Sequence, residues 1–262
     1  AVVDSKAQLD HGVVIGAGAV IGPEVEIGSN TVIGPNVVLD GRLKIGSSNK
    51  IFPGACLGLE PQDLKYKGAS TEVVIGNENT IRECVTINRA TNEGESTEIG
   101  NGSLLMAYTH IAHGCKIGNH VIISNSVQVA GEVVIEDQAV IGGSLGIHQF
   151  VHIGALAMVG GMTRVDRDVP PYCLAEGHPG RLRGLNRVGI RRKGLERQKP
   201  EEFRQLLEIW NLIYRSGHVY AKSLELARER DLMPAADKLC LFLEASIEKG
   251  RRGSMPFVNT KN

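Results

Sequence analysis

The residues best suited to chemistry in this chain are five histidines that fall close together, whereas the first 109 positions hold only one, His11. A neutral imidazole can take a proton from a hydroxyl or an amine near neutral pH, and it can also bind zinc. The cluster therefore predicts proton transfer or metal binding, although each histidine alone is also compatible with an exposed turn. The five are His110, His113, His120, His148 and His152.

A six-residue period determines where those histidines lie. At steps of six from Val3 to Val165, 25 of 28 positions hold Val, Ile or Leu, and only Asp63, Ala69 and Glu93 break the pattern. Helices and single strands have periods near 3.6 and 2, so neither fits. A fixed period of six indicates a hexapeptide β-helix, in which each aliphatic side chain is buried by its copies in adjacent coils. The prediction is a mainly β fold, a left-handed parallel β-helix of hexapeptide repeats followed by a small C-terminal α-helical domain.

Breaks in the period predict the domain organisation. The hexads are interrupted at 58–73 and more briefly at about 90–98. The first break is dense in hydrogen-bonding side chains and is interpreted as a binding loop, whereas the other break carries no functional signal. After Val165 a proline-rich linker leads to helical spacing, with a helix expected from Pro200 to near Gly217 and others near Leu224 and from about Pro234. The predicted domains are 1–186 and 187–262, and the flat faces of the first favour a homotrimer.

Composition narrows the class of protein. The formal net charge is zero, which argues against a nucleic-acid-binding protein. Five cysteines show no paired spacing, so a reducing compartment and no structural disulfide are expected. The sequence contains no run of eighteen apolar residues, so no transmembrane segment is expected. Because the hexads begin at Val3, no signal peptide is expected either. The expectation is a cytoplasmic protein.

Stacking arithmetic brings part of the histidine cluster together. Three hexads make one coil of eighteen residues, so His113 should stack with Gly131 and Gln149, close to His148. Gly131 would leave space for a ligand and an accessible N–H that can stabilise an oxyanion. A general base beside such a donor suits acyl transfer. Two alternatives stay open at this point: an exposed histidine ladder, and zinc held by three imidazoles, as in the carbonic anhydrases built on this scaffold.

Seven motifs resemble the acyl-carrier-protein-dependent UDP-N-acetylglucosamine O-acyltransferases, which perform the first step of lipid A biosynthesis. The resemblance covers nearly the whole chain and includes the first loop, the histidine site and the helical tail. The motifs are DLKYKG at 63–68, THIAHGC at 109–115, IHQF at 147–150, MVGG at 158–161, DVPPY at 168–172, GLNRVGIRRKG at 184–194 and LIYRSG at 212–217.

The resemblance implies a role for each matching residue and no cofactor or metal. His113 would be the general base that activates the sugar 3-hydroxyl against a 3-hydroxyacyl thioester on acyl-carrier protein, and Gly131 would supply the oxyanion N–H. Gly161 would influence acyl-chain length. Substrate-binding residues would be Gln62, Asp63, Lys65, His110, His148, Gln149, Asn186, Arg192 and Lys193.

Some positions depart from the family pattern. The aspartate that usually follows the catalytic histidine is Gly114 here, and the histidine that usually follows the oxyanion glycine is Glu132. The hypothesis is that Glu132 has become the acid that orients His113. Family residues are also replaced at Asn88 and Val188. Alternatives to O-acyl transfer are the N-acyltransferase of the same pathway, a coenzyme A-dependent acetyltransferase and an inactive scaffold.

Overall fold

The computed structural model describes residues 1–258, so the last four residues of the predicted helical domain, 259–262, lie outside the described part. The described chain is a three-sided parallel β-helix followed by five helices, which agrees with the predicted order of β and α parts. The strands of the first six coils are β1 (Val2–Val3), β2 (Gln8–Leu9), β3 (Val14–Ile15), β4 (Val20–Ile21), β5 (Val25–Ile27), β6 (Val32–Ile33), β7 (Val38–Leu39), β8 (Leu43–Ile45), β9 (Lys50–Ile51), β10 (Cys56–Leu59), β11 (Glu72–Ile75), β12 (Thr80–Ile81), β13 (Thr86–Asn88), β14 (Ser96–Ile99), β15 (Leu104–Leu105), β16 (His110–Ile111), β17 (Lys116–Ile117) and β18 (Ile122–Ile123). The remaining strands are β19 (Gln128–Val129), β20 (Val134–Ile135), β21 (Val140–Ile141), β22 (Gly146–Ile147), β23 (His152–Ile153), β24 (Met158–Val159), β25 (Arg164–Val165), β26 (Cys173–Glu176) and β27 (Arg181–Leu185).

Each strand of the β-helix pairs in parallel with the strand one coil further along, which builds three sheets. Sheet A runs from β1 to β25, sheet B from β2 to β23, and sheet C from β3 to β24, where β26 and the antiparallel β27 extend it. The aliphatic residues of the six-residue period point into one core, where for example Ile87, Ile111 and Val129 stack fully buried. Each such side chain contributes about 1.5–3 kcal/mol, so stability comes from stacking and not from any single coil.

The two breaks in the period are loops that leave the β-helix without disturbing its register. Leu57 pairs with Ile87 and Ile87 pairs with Ile111, so these coils hold 30 and 24 residues where the others hold eighteen. The additions are therefore twelve and six residues, which are multiples of the repeat. This explains why aliphatic residues recur in the same frame on both sides of each loop.

The C-terminal part contains the predicted helices. The first of them, Pro200–Arg215, begins at the predicted proline and buries Leu206, Ile209 and Trp210. Proline suits a first helical position because its missing N–H would have no partner there. The five helices are α1 (Arg187–Arg192), α2 (Leu195–Gln198), α3 (Pro200–Arg215), α4 (Tyr220–Arg228) and α5 (Pro234–Ser246).

A cluster of charged side chains joins sheet B to this helical part. Glu136 Oε1 lies 2.9 Å from His152 Nε2, and Glu136 Oε2 lies 2.8 Å from Lys238 Nζ of α5. Arg251 lies 2.8 Å from the buried carboxylate of Asp168. Burial opposes the ionised form of Glu136, but the contacts with His152 and Lys238 outweigh it and lower its pKa to about 2. The cluster therefore holds the helical part against the β-helix through an ionised carboxylate.

We expect Glu136→Gln to destabilise the chain at neutral pH by up to about 3 kcal/mol, because the folded state lowers the pKa of this carboxyl. A lowered folded pKa contributes stability that is fully present above the ordinary value of 4.5 and is lost as the pH falls from there toward 2. Urea unfolding of wild type and variant at pH 7 and pH 3 measures this, and the difference should shrink at pH 3. Glu26→Gln, on the exposed face of sheet B, is the control. Equal stability of Glu136→Gln and wild type at pH 7 would contradict the assignment.

None of the helices in residues 1–258 combines the length and the apolar character that crossing a bilayer requires.

Candidate active site

A groove runs along sheet A and the corner that leads from sheet A to sheet B. We call it the sheet A groove. Residues of strands β16, β19, β22 and β25 and of the turns that follow them form its floor, and Gln62 of the first loop reaches over it. Six residues predicted for the site line the groove together: Gln62, His110, His113, Gly131, His148 and Gln149.

His113 lies directly over Gly131, as the eighteen-residue spacing predicts. A Cβ built on Gly131 would overlap the imidazole at Cε1 and Nε2, so only glycine admits the ring in this position. The His113 side chain is 11% exposed. Within residues 1–258 the Gly131 N–H donates no hydrogen bond, which is usual for this corner of the coils, but here it lies beside an imidazole. The pair therefore offers a proton acceptor and a free amide donor within one small space.

His110 lies in strand β16, three residues before His113, and also lines the sheet A groove. A 2.7 Å hydrogen bond between its Nδ1 and the Thr86 hydroxyl holds the ring. Burial, and to a smaller extent the nearby His113, lower the pKa of His110. A neutral imidazole is therefore expected at pH 7, and it can donate or accept a hydrogen bond toward the groove.

Two carboxylates flank the His113 ring. Asp63 Oδ2 lies 3.7 Å from Nε2, and Glu132 Oε1 lies 3.4 Å from Nδ1. Asp63 belongs to the first loop, where its carboxylate accepts hydrogen bonds from the Lys65 N–H at 3.0 Å and the Thr91 hydroxyl at 3.2 Å. The hydrogen bond from the Lys65 amide has the largest effect and lowers the pKa of Asp63. Desolvation opposes it, and the Thr91 hydroxyl and His113 lower the pKa further. Asp63 is thus an ionised acceptor beside the imidazole.

The loop at the shorter break, which was predicted to carry no functional signal, supports the first loop. Thr91 is buried and donates to Asp63, and Arg89 reaches the Tyr66 hydroxyl at 3.2 Å. Glu93 accepts a 2.7 Å hydrogen bond from the Ser70 N–H. The two loops therefore pack against each other, and the shorter one holds the Asp63 carboxylate of the first through Thr91.

Comparison with known proteins places the chain in a family. A family model described as UDP N-acetylglucosamine O-acyltransferase, domain 2, matches residues 168–255, and the model for bacterial transferase hexapeptide repeats matches residues 6–41 and 96–131. The acyl-[acyl-carrier-protein]–UDP-N-acetylglucosamine O-acyltransferase of Synechocystis sp. is 53% identical over 83% of this chain and 78% of its own length. The enzyme of the same name from Herminiimonas arsenicoxydans is 41% identical over 94% of this chain and 95% of its own.

This chain belongs to the UDP-N-acetylglucosamine O-acyltransferase family.

Two solved structures of the family share the fold over nearly all of this chain. The UDP-N-acetylglucosamine acyltransferase from Campylobacter jejuni superposes with a TM-score of 0.89 at 36% identity, covering 98% of both chains. The Francisella novicida acyltransferase gives 0.91 at 34% identity, covering 98% of this chain and 93% of its own. The fold is thus the left-handed parallel β-helix with a C-terminal helical part, as predicted.

Several site residues predicted from the family resemblance lie outside the sheet A groove of one chain. Asn186 is buried, caps α1 by accepting a hydrogen bond from the Gly189 N–H, and donates to the Leu156 carbonyl. Arg192 and Lys193 are exposed at the end of α1. Gly161 lies on the corner before sheet A, where a Cβ would come within 3.3 Å of the Gly143 carbonyl. A single chain therefore does not bring these four residues to His113.

The five clustered histidines also do not all belong to the sheet A groove. His110, His113 and His148 face the sheet A groove, whereas His120 occupies a different corner, over Gly102, and His152 joins the helical part. In the described part of the chain, no three side chains of the types that ligate zinc are close enough to hold an ion together.

Some groove residues were not predicted from the sequence, although the eighteen-residue spacing of the coils identifies them. Steps of eighteen from His110 lead to Gln128, Gly146 and Arg164, and these residues are paired neighbours across the strands of sheet A. Arg164 lines the groove and lies 3.3 Å from Asp166. Thr91 gave no comparable signal, because it belongs to a loop outside the repeat.

Proposed function

We propose that the sheet A groove is the site where this acyltransferase moves an (R)-3-hydroxyacyl chain from acyl-carrier protein to the 3-hydroxyl of UDP-N-acetylglucosamine, in lipid A biosynthesis. The observation that carries the proposal is the imidazole of His113 lying over Gly131, whose N–H donates no hydrogen bond to any residue of 1–258. Family membership supplies the substrate classes, and this geometry supplies the chemistry.

The proposed reaction uses these two groups in sequence. His113 takes the proton of the sugar 3-hydroxyl through Nε2 as that oxygen attacks the thioester carbonyl carbon. The tetrahedral intermediate places its negative oxygen on the Gly131 N–H, which stabilises it. Collapse breaks the carbon–sulfur bond, and the imidazolium returns the proton to the departing phosphopantetheine thiolate. No cofactor is needed, because the thioester supplies the activated acyl group and the base is regenerated.

The sugar is proposed to lie between the first loop and the groove floor. Gln62, Asp63 and Lys65 would hold it from above, and His110, His148 and Gln149 would contact the sugar and the acyl chain from below. The position of Asp63, 3.7 Å from Nε2, supports this, because one sugar hydroxyl could donate to the carboxylate while the neighbouring 3-hydroxyl donates its proton to Nε2.

Nucleotide binding is proposed to involve Asn186, Arg192 and Lys193. Guanidinium and ammonium groups match phosphate oxygens, and both cations are exposed at the end of α1. Since one chain does not bring them to its own groove, we propose that the active form is a homotrimer in which the α1 end of one copy meets the groove of the next. Mass measurement in solution tests the trimer, and a monomer with full activity would contradict it.

The cell compartment is proposed to be the cytoplasm. The five cysteines are all unpaired in the structure, and three of them are buried. Free thiols persist in a reducing compartment.

The function is tested by incubating the protein with UDP-N-acetylglucosamine and 3-hydroxyacyl-carrier protein. We expect an ester product that mild base cleaves. A product resistant to mild base would indicate an amide and the N-acyltransferase alternative, and transfer from acyl-coenzyme A alone would indicate an acetyltransferase. Absence of any acylated sugar nucleotide would contradict the proposal.

We expect Thr91→Val to raise KM for UDP-N-acetylglucosamine about 3- to 10-fold with kcat nearly unchanged. Valine keeps the shape but removes one hydrogen bond to Asp63, and a hydrogen bond is typically worth about 0.5–1.5 kcal/mol net. Thr71→Val is the matched control, because the buried Thr71 hydroxyl has no hydrogen-bond partner in the described structure. Steady-state kinetics on both variants measures this, and equal KM values would show that Thr91 does not position Asp63.

Gly161 is proposed to influence acyl-chain length. Gly161 is exposed, which leaves the corner before sheet A open to a long chain. We expect Gly161→Met to shift the preferred donor toward shorter acyl chains by about 10-fold or more, since a long side chain there would obstruct the end of the acyl path. Competition between donors of different lengths, read by product mass, measures the preference. An unchanged product distribution would place the chain elsewhere.

A further inference from the structure

We infer that Gly114 and Glu132 act as one positioning unit, in which the absence of a side chain at 114 admits the Glu132 carboxylate from the next coil, and this carboxylate selects the protonated nitrogen of His113. The inference rests on the proposed role of His113 as the base. Glu132 is a positioning residue here, because it acts on His113 and not on the substrate.

The first observation is that the two positions compete for the same space. A Cβ built on Gly114 would overlap the Glu132 carboxylate at Oε1 and at the carboxyl carbon. The backbone here is firmly held, because the Gly114 N–H donates to the buried Thr97 hydroxyl at 2.9 Å and the Glu132 N–H donates to the His113 carbonyl at 2.9 Å. Glu132 can therefore reach His113 from its own corner only while position 114 lacks a side chain.

The second observation is a buried imidazole nitrogen with no hydrogen bond. His113 Nδ1 is inaccessible to solvent and has no hydrogen-bond partner in residues 1–258, although Glu132 Oε1 lies 3.4 Å away. The carboxylate is near enough to pair electrostatically but off the direction of a good hydrogen bond. A buried polar atom left in this state is unusual, and catalytic contacts often tighten only when substrate binds.

The third observation is that the two carboxylates beside His113 are not equivalent. Asp63, facing Nε2, already accepts hydrogen bonds from the Lys65 amide and the Thr91 hydroxyl. Glu132, facing Nδ1, accepts none from the described residues and is the nearer of the two. Another titratable neighbour, His110, has its pKa lowered by burial, which favours its neutral form at pH 7. Glu132 is thus the better acceptor for the single imidazole proton.

The consequence is a choice of tautomer. With the proton on Nδ1 facing Glu132, Nε2 carries the lone pair that faces the substrate, as a general base requires. Without Glu132, the proton can move to Nε2 and donate toward Asp63, which leaves no lone pair on the substrate side. An acid in this position orients and fixes a catalytic imidazole, as the aspartate of a Ser-His-Asp triad does.

The test combines kinetics with nitrogen-15 NMR of histidine-labelled protein, with the His113 signals assigned by their loss in His113→Gln. We expect wild type to show a protonated Nδ1 and an unprotonated Nε2. Glu132→Ala and Glu132→Gln, the second of which keeps the side-chain size, should lower kcat about 10- to 100-fold with KM for the sugar nucleotide within about 2-fold. Both variants should also shift the tautomer balance toward protonated Nε2.

Rescue separates positioning from folding. In the Glu132→Ala background, Gly114→Asp restores a carboxylate to the vacated space, and aspartate tolerates the left-handed backbone at this position, where φ is 67°. We expect the double variant to recover about 10-fold in kcat. Glu78→Ala is the matched control for Glu132→Ala, because Glu78 has the same φ of 59° as Glu132 but lies in an exposed corner away from the groove. It should leave both kinetics and tautomer unchanged.

The inference is wrong if both Glu132 variants keep kcat within about 2-fold of wild type, or if the His113 tautomer is the same with and without Glu132. A folded double variant no more active than Glu132→Ala would also overturn it. Because the NMR signal does not depend on turnover, it reports on the unit even where wild type forms no product. Absence of product from wild type would refute the proposed function and not the role of Gly114 and Glu132.

Discussion

Replacing His113 with glutamine is expected to lower kcat for acyl transfer by about 10²–10⁴-fold, the usual range for a lost general base. Glutamine fills similar space over Gly131 but cannot take a proton from the sugar hydroxyl. Because the oxyanion donor stays in place, KM for UDP-N-acetylglucosamine should change far less than kcat. Steady-state kinetics with a fixed acyl donor measures both.

The matched control for this variant is His120→Gln. His120 is an exposed histidine of the same coil region that lies on a different corner, over Gly102. The control should retain full activity. Full acyl transfer by His113→Gln would remove His113 from the proposed reaction and leave the groove without its base.

Adding a single methyl group at position 131 is expected to be almost as damaging. The Cβ of Gly131→Ala would overlap Cε1 and Nε2 of His113, so the ring must leave its place beside the amide. Misplacing a catalytic group by about 1 Å can cost about 10²-fold in rate, and we expect a fall in kcat of that size. The backbone of Gly131 has no positive φ, so alanine itself is not strained there.

Gly146→Ala is the matched control for Gly131→Ala. It adds the same atom to the floor of the same groove, one coil further on, where nothing lies within 4 Å of the new Cβ. Its kcat should fall at least 10-fold less than that of Gly131→Ala. Equal losses in the two variants would mean that groove volume matters and that the position of the His113 ring does not.

The relation between His113 and Gly131 was predictable because it lies within the repeat. In a β-helix, neighbours across coils are separated by a constant number of residues, so steps of eighteen identify them without coordinates. The same arithmetic relates His113 to His148, which lines the same groove, and it reaches the groove residues Gln128 and Arg164. The helix from Pro200 was predictable for a different local reason, since proline marks a first helical turn.

The loops could not be placed in this way. Asp63 and Thr91 leave the β-helix through insertions of twelve and six residues, and no periodicity relates them to each other or to His113. Their hydrogen bond and the 3.7 Å approach of Asp63 to Nε2 come from packing of the two loops against one another. Asn186 is of a residue type that often caps helices, but its second hydrogen bond, to the Leu156 carbonyl, joins two parts of the chain that no repeat relates.

The sequence by itself determined the β-helix, its register, the order of its two parts and the stacking of an imidazole over a glycine amide, because each depends on contacts that repeat at constant spacing. Only the tertiary structure decided which carboxylate faces which nitrogen of His113, and that His152 serves the junction with α5 and not the groove. These depend on the directions of side chains and on loops that pack once. These contacts do not recur from coil to coil, so their geometry is set by the whole fold.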